Sequence, residues 1–150
     1  MKKLQAVFQI FLLVLSLAAC GKMKSQTVTG GVISANISSG WCMVIGMEMN
    51  GASGSDYICH SKEFVLGDPY LQIMVDTQSR SIDELKGFME SEQVYGKYLG
   101  AFKVGDLTWF VAEKAATASI DGKTCLVLSY ECKLDSDEVL SILGSFSWVS

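Results

Sequence analysis

Five cysteines, seven methionines and one histidine are the residues of this 150-residue chain with the most chemistry to offer. Cys20 stands apart at the end of an apolar N-terminal stretch, which leaves Cys42, Cys59, Cys125 and Cys132 as an even set. In an exported chain such a set favours disulfides, and four cysteines allow three connectivities. If Cys125 and Cys132 share one continuous strand, seven residues at about 3.3 Å each hold them more than ~20 Å apart, too far to bond. Cys42 and Cys59 close more easily, because the turn between them can lay their strands side by side. The alternative is that some or all four are free thiols packed as small core residues. No C-x-x-C occurs, so thioredoxin-type exchange has no support.

Met43, Met47 and Met49 fall on alternate positions, with Cys59-His60 further along. Thioether and thiolate are soft ligands that suit Cu(I). The same face also carries Trp41 and Ile45, however, and a stripe of this kind is more often core, with methionine filling irregular gaps. Zinc has no ligand spacing here. A hydrolase would have to work through His60, with Ser53, Ser55 and Asp56 close in sequence. Those three read better as loop formers, and no G-x-S-x-G, phosphate-cradling loop or H-E-x-x-H is present. The acids Asp83-Glu84, Asp135 and Asp137-Glu138 sit at expected helix starts, where the helix dipole favours them, so they need no glycosidase pair to explain them. Asp135 and Asp137 also lack the spaced ligands of a calcium loop. The expectation is a non-enzymatic binding or interaction module with no assigned catalytic, cofactor or metal residue. Copper binding through the methionine face with Cys59-His60 is one alternative, and an unrecognised hydrolase is another.

The N-terminus is more specific. Lys2 and Lys3 precede an apolar stretch from Val7 to Leu17 interrupted by Gln9 and Ser16, and small residues follow, the three parts of an export signal. The stretch is nearer ten residues than the roughly 20 of a membrane-spanning helix. Leu17-Ala18-Ala19-Cys20 resembles a lipobox, in which a leucine and two small residues precede the cysteine that receives lipid on its sulfur. The resemblance implies a bacterial lipoprotein: residues 1–19 are a cleaved signal peptide, Cys20 carries diacylglycerol and palmitate-type chains, and residues 20–31 tether the domain to the membrane. Lys22 and Lys24 would lean on anionic headgroups, each contributing about 1 kcal/mol near the surface. Gly21 lacks the aspartate associated with inner-membrane retention, so a two-membrane cell would hold the protein at its outer membrane and a one-membrane cell at its cell membrane. Loss of Lys2 and Lys3 would shift the formal charge from −4 to −6. That balance argues against nucleic acid, which is bound through basic side chains.

The elements that must position these groups follow from periodicity. Val32 to Ile37, Trp41 to Met49, Tyr57 to Ser61 and Tyr70 to Val75 read as strands, and Trp41, Met43, Ile45, Met47 and Met49 as one face. Ser81-Ile82-Asp83-Glu84 fits a capping box, with Ile82, Leu85, Phe88 and Met89 as the buried stripe of the helix that follows. A three-stranded meander comes next. Gly105-Asp106 makes its first turn, Leu107 to Ala112 is the partner strand with extension past Ala116 to Ile120 as the alternative, and Asp121-Gly122 turns the chain into Thr124 to Cys132. Asp135 to Glu138 starts a second helix with Val139, Leu140, Ile142, Leu143 and Phe146 inward. The fold class is α+β: a mostly antiparallel sheet of six or seven strands with two amphipathic helices packed on it, in a single domain over residues 32–150.

Ile33 to Ile37 leading to Gly40-Trp41, then Gly67-Asp68-Pro69-Tyr70, then a terminal helix ending in Ser145-Phe146-Ser147-Trp148, resembles the PsbP-like αβα sandwich of small secreted and lipid-anchored bacterial domains. The resemblance covers roughly residues 32–150. It implies assembly and protein contacts and carries no catalytic motif. The aromatic residues Trp41, Trp109, Trp148, Tyr57, Tyr70, Tyr95, Tyr98 and Tyr130 supply core, with an exposed patch for a partner as the alternative.

Overall fold

The computed structural model describes residues 25–45, 55–65, 67–91 and 93–150. Cys20, the signal segment, Met47, Met49 and Ser53 lie outside them. Ten strands and two α-helices follow in order: β1 (Gln26–Thr29), β2 (Ile33–Ile37), β3 (Cys42–Ile45), β4 (Asp56–Cys59), β5 (Tyr70–Asp76), α1 (Ile82–Ser91), β6 (Tyr98–Val104), β7 (Leu107–Ala112), β8 (Ala115–Ile120), β9 (Lys123–Tyr130), α2 (Asp137–Gly144) and β10 (Ser147–Trp148). They form a seven-stranded sheet, β3-β4-β5-β9-β8-β7-β6, and a three-stranded sheet, β1-β2-β10. All strand pairs are antiparallel.

The broad class is as expected, but the β-structure is larger than one sheet of six or seven strands. Gln26–Thr29, read as tether, pairs with β2 in the register Gln26 opposite Ile37. Ser147–Trp148, expected as the end of the terminal helix, instead forms a strand that pairs with the other side of β2. The strand from Leu107 does not run on to Ile120. It reverses at Glu113 and Lys114, whose N–H groups donate to Lys97 and Tyr95 carbonyls at 3.0 and 2.9 Å. Those tertiary bonds make a turn that carries no glycine, proline or asparagine.

Two expected turns are present. Gly105 takes positive φ between β6 and β7, and Asp121 and Gly122 both do so between β8 and β9, as a tight two-residue hairpin requires. The Ser81 capping box forms as well: the Ser81 N–H donates to the Glu84 carboxylate at 2.7 Å, and the Glu84 N–H donates to the Ser81 hydroxyl at 3.3 Å. The stripe of α1 is narrower than periodicity implied, since Leu85 and Met89 are buried while Ile82 is exposed.

Strand alternation sends β7 side chains to two cores. Trp109 and Val111 face the three-stranded sheet and α2, joining Ile33, Ile37, Ile58, Leu71, Ile73, Val127, Val139, Ile142 and Leu143. Phe110 and Ala112 face the opposite way, where Leu85 and Met89 of α1 cover them with Ala115. The two helices therefore lie on opposite faces of the large sheet. Each large apolar side chain so buried contributes about 1.5–3 kcal/mol. Among the described residues no helix is long and apolar enough to cross a membrane.

Candidate functional site

The second helix starts one residue later than the sequence suggested, and this shift creates the site. Ser136, not Asp135, is the N-cap; its hydroxyl accepts from the Val139 N–H at 3.3 Å. Glu138 is thereby free of the capping box and turns toward the segment between β2 and β3. One of its carboxylate oxygens accepts from both the Trp41 indole N–H and the Ser38 hydroxyl, each at 2.8 Å. These two donors, Trp41 foremost, hold its carboxyl below the usual carboxylate range. Glu138 is thus anionic at neutral pH, although sequence reasoning took it only for a helix-dipole acid.

Trp41 is itself buried, and His60 stacks flat on it with ring centroids 4.4 Å apart and planes 15° from parallel. The pairing follows from register. Cys42 lies opposite Cys59, so the residues just outside them, Trp41 and His60, also face one another. His60 itself is exposed.

Beside Glu138 an open groove of about 550 Å³ runs between β2 and α2. Ile37 and Ile142 give it an apolar floor. Ser25, Asn36, Ser38, Ser141 and Ser145 supply hydroxyl and amide groups, and Asp137 and Glu138 supply charge. Among the described residues no lysine, arginine or histidine lines it. The described lining, with two carboxylates and several hydroxyls, suits a cationic or polyhydroxyl ligand. Ser145 ties its wall together, accepting from the Asn36 N–H at 2.8 Å and donating to the Ile142 carbonyl at 2.6 Å.

A second carboxylate that sequence reasoning set aside also has a definite role. Asp56, read as a loop former, is buried and accepts from three successive backbone N–H groups: Gly31 at 2.7 Å, Val32 at 2.7 Å and Ile33 at 2.9 Å. It clamps the start of β2 onto β4. Gly30 has to be glycine here, because a Cβ at that position would collide with the carboxylate. The Gly30-Gly31 pair was the one sequence signal of this close approach.

The described members of the hydrolase set, Ser55, Asp56 and His60, do not come together. Asp56 is engaged with backbone amides, buried Ser55 lies 3.4 Å from the Gln72 amide, and His60 rests on Trp41. The described members of the soft-metal set also diverge. Met43 packs against the main core, whereas Cys59 points to the opposite face of β4 from His60. Among the described residues no three His, Cys, Asp or Glu side chains are grouped to hold a metal ion. Cys42, Cys59, Cys125 and Cys132 are free thiols in this structure, and Cys42 stands opposite Cys59 across β3 and β4.

Most of the aromatic residues are core. The exception is Tyr130, half-exposed at the end of a run in which buried Tyr57 meets Tyr70 edge-on at 5.8 Å and Tyr70 stacks on Tyr130 at 5.1 Å. No family model, curated protein or solved structure matches this chain.

Proposed function

We propose that this chain is a lipid-anchored, extracytoplasmic binding module of the cell envelope, not an enzyme, and that the groove between β2 and α2 receives its partner or small ligand. One observation carries the reading: Ser25, on the rim of that groove, lies five residues after Cys20. Five residues span at most about 18 Å when fully extended. A lipid on Cys20 would keep the groove at the headgroup surface, which limits its occupants to molecules reachable there. The export signal, the lipobox and the basic tether support the location. The two helices on opposite faces of the large sheet support PsbP-like layering and the protein-contact role that goes with it.

The test has two arms. Cells expressing the full chain are fed labelled palmitate, and the wild type takes up label while Cys20→Ala does not. The lipidated protein is then recovered from its own membrane beside Ser141→Arg, which fills the groove from an exposed helix position and adds a positive charge. A co-purifying molecule present with the wild type and lost with Ser141→Arg is the expected result. Unlabelled wild type overturns the anchor, and recovery unaffected by Ser141→Arg overturns the groove.

A further inference from the structure

We propose that Cys42 and Cys59 are a covalent modification site, joined on oxidative folding by a reducible disulfide that staples the edge strand β3 to β4, while Cys125 and Cys132 remain thiols. Backbone geometry selects this pair. The His60 N–H donates to the Pro69 carbonyl on the β5 side, so alternation along the strand turns the Cys59 backbone groups toward β3. Cys42 and Cys59 are then a hydrogen-bonded cross-strand pair with the Cys59 thiol within hydrogen-bond reach of Cys42; their Cα atoms, about 5.5 Å apart, suit a disulfide, while Cβ atoms wider than the roughly 3.5–4.5 Å of a relaxed bond make it a strained, easily reduced one. Both side chains leave the same face of the sheet.

The other thiols are placed less well. Cys125 is buried in the main core, with Val75 and Ala118 as its strand partners, and meets no second sulfur across the ladder. Cys132 follows β9 and is near enough to influence the Cys59 thiol, which makes it the one competitor. It is occupied, however. Its N–H donates to the Ser129 hydroxyl, which in turn donates to the Cys132 carbonyl, so its backbone is fixed just beyond β9.

The chemistry balances with a small disulfide, or the disulfide of a dithiol oxidase, as oxidant. The Cys42 sulfur attacks it, forming a mixed disulfide and expelling one thiol. The Cys59 sulfur then attacks Cys42 and expels the second. Two protein thiols lose two hydrogens, and the oxidant gains them. In the folded thiol form burial, and then the adjacent Cys42, hold Cys59 up at about 12, so the second step belongs to folding rather than to the finished protein. Trp41 precedes Cys42 and His60 follows Cys59, so the bond would also brace the stacked pair that positions Glu138.

The experiment does not depend on export. The full chain with Cys20→Ser is refolded in detergent with reduced and oxidised glutathione, denatured, alkylated with N-ethylmaleimide and weighed. The expected product carries two labels, is 2 Da lighter than two labels alone require, and yields a peptide joining Cys42 to Cys59; with reductant it takes four labels. Four labels without reductant, or a peptide joining Cys59 to Cys132, overturns the proposal. Palmitate uptake, which tests the anchor, is unaffected by either result. Cys42→Ser separates geometry from misfolding: it should fold with all three remaining thiols free, and a bond between Cys59 and Cys132 in that variant also counts against the assignment.

Discussion

Replacing Asp56 by alanine should be among the most damaging changes outside the apolar core. The wild-type carboxylate is buried and accepts three N–H bonds, two of them at 2.7 Å. Hydrogen bonds to a charged group contribute about 1.5–3 kcal/mol each, though three on one carboxylate do not add in full. Removing one side of a buried charged arrangement costs about 3–5 kcal/mol, because the partner groups stay buried and unpaired. Against a total stability of about 5–15 kcal/mol, Asp56→Ala should therefore remove a third or more, and its melting midpoint should fall by on the order of 10–15 °C. Asp56→Asn is the sharper probe. It keeps shape and one acceptor oxygen but points an NH2 at N–H donors, so it should lose nearly as much although it creates no cavity. Urea unfolding followed by the fluorescence of Trp41, Trp109 and Trp148 measures both variants. If Asp56→Asn unfolds within about 0.5 kcal/mol of wild type, the carboxylate is not the clamp and the hydrogen-bond reasoning fails.

Two further outcomes follow from the second helix. Glu138 has a folded pKa below its unfolded value of 4.5, so its contribution is fully present above that value and is lost as pH falls through the folded one. Unfolding measured between neutral pH and pH 3 should show this acid-limb loss in the wild type, with a shallower slope in Glu138→Gln. Ser136→Ala removes the N-cap bond to Val139 and should cost about 1 kcal/mol by urea unfolding, whereas Asp135→Ala should cost less, since Asp135 is not the cap.

The sequence made some of this fold legible and hid the rest for identifiable reasons. Ser81 with Glu84, and Asp121 with Gly122, were readable because each is a local device complete within four residues. Gln26–Thr29 was not. Its polar residues look like linker, and it is a strand only because β2 offers an edge and Asn36 a side-chain partner for Thr27 at 2.7 Å. The reversal at Glu113 and Lys114 was hidden because its bonds go to Lys97 and Tyr95, which lie before β6 and leave no local pattern. At the site, one acid too many in Asp135 to Glu138 allowed two registers for the cap, and only the structure chooses Ser136. Glu138 and Asp56 escaped notice for a shared reason: their partners are an indole and three amides far along the chain, which leave no spacing rule to read.

The placing of β1 has a mechanical consequence. It lies between Ser25 and the Asp56 clamp, pairs with β2 through four residues, and buries almost nothing of its own. Tension applied at Ser25 would load those four pairs first, and they can part without opening either core. The amides of Gly31 to Ile33, gripped by Asp56, then meet the load at the point where the main body begins. The hairpin is thus a fuse: it lengthens the reach of the chain by roughly the contour of a few residues under pull, while the groove walls beyond it keep their shape.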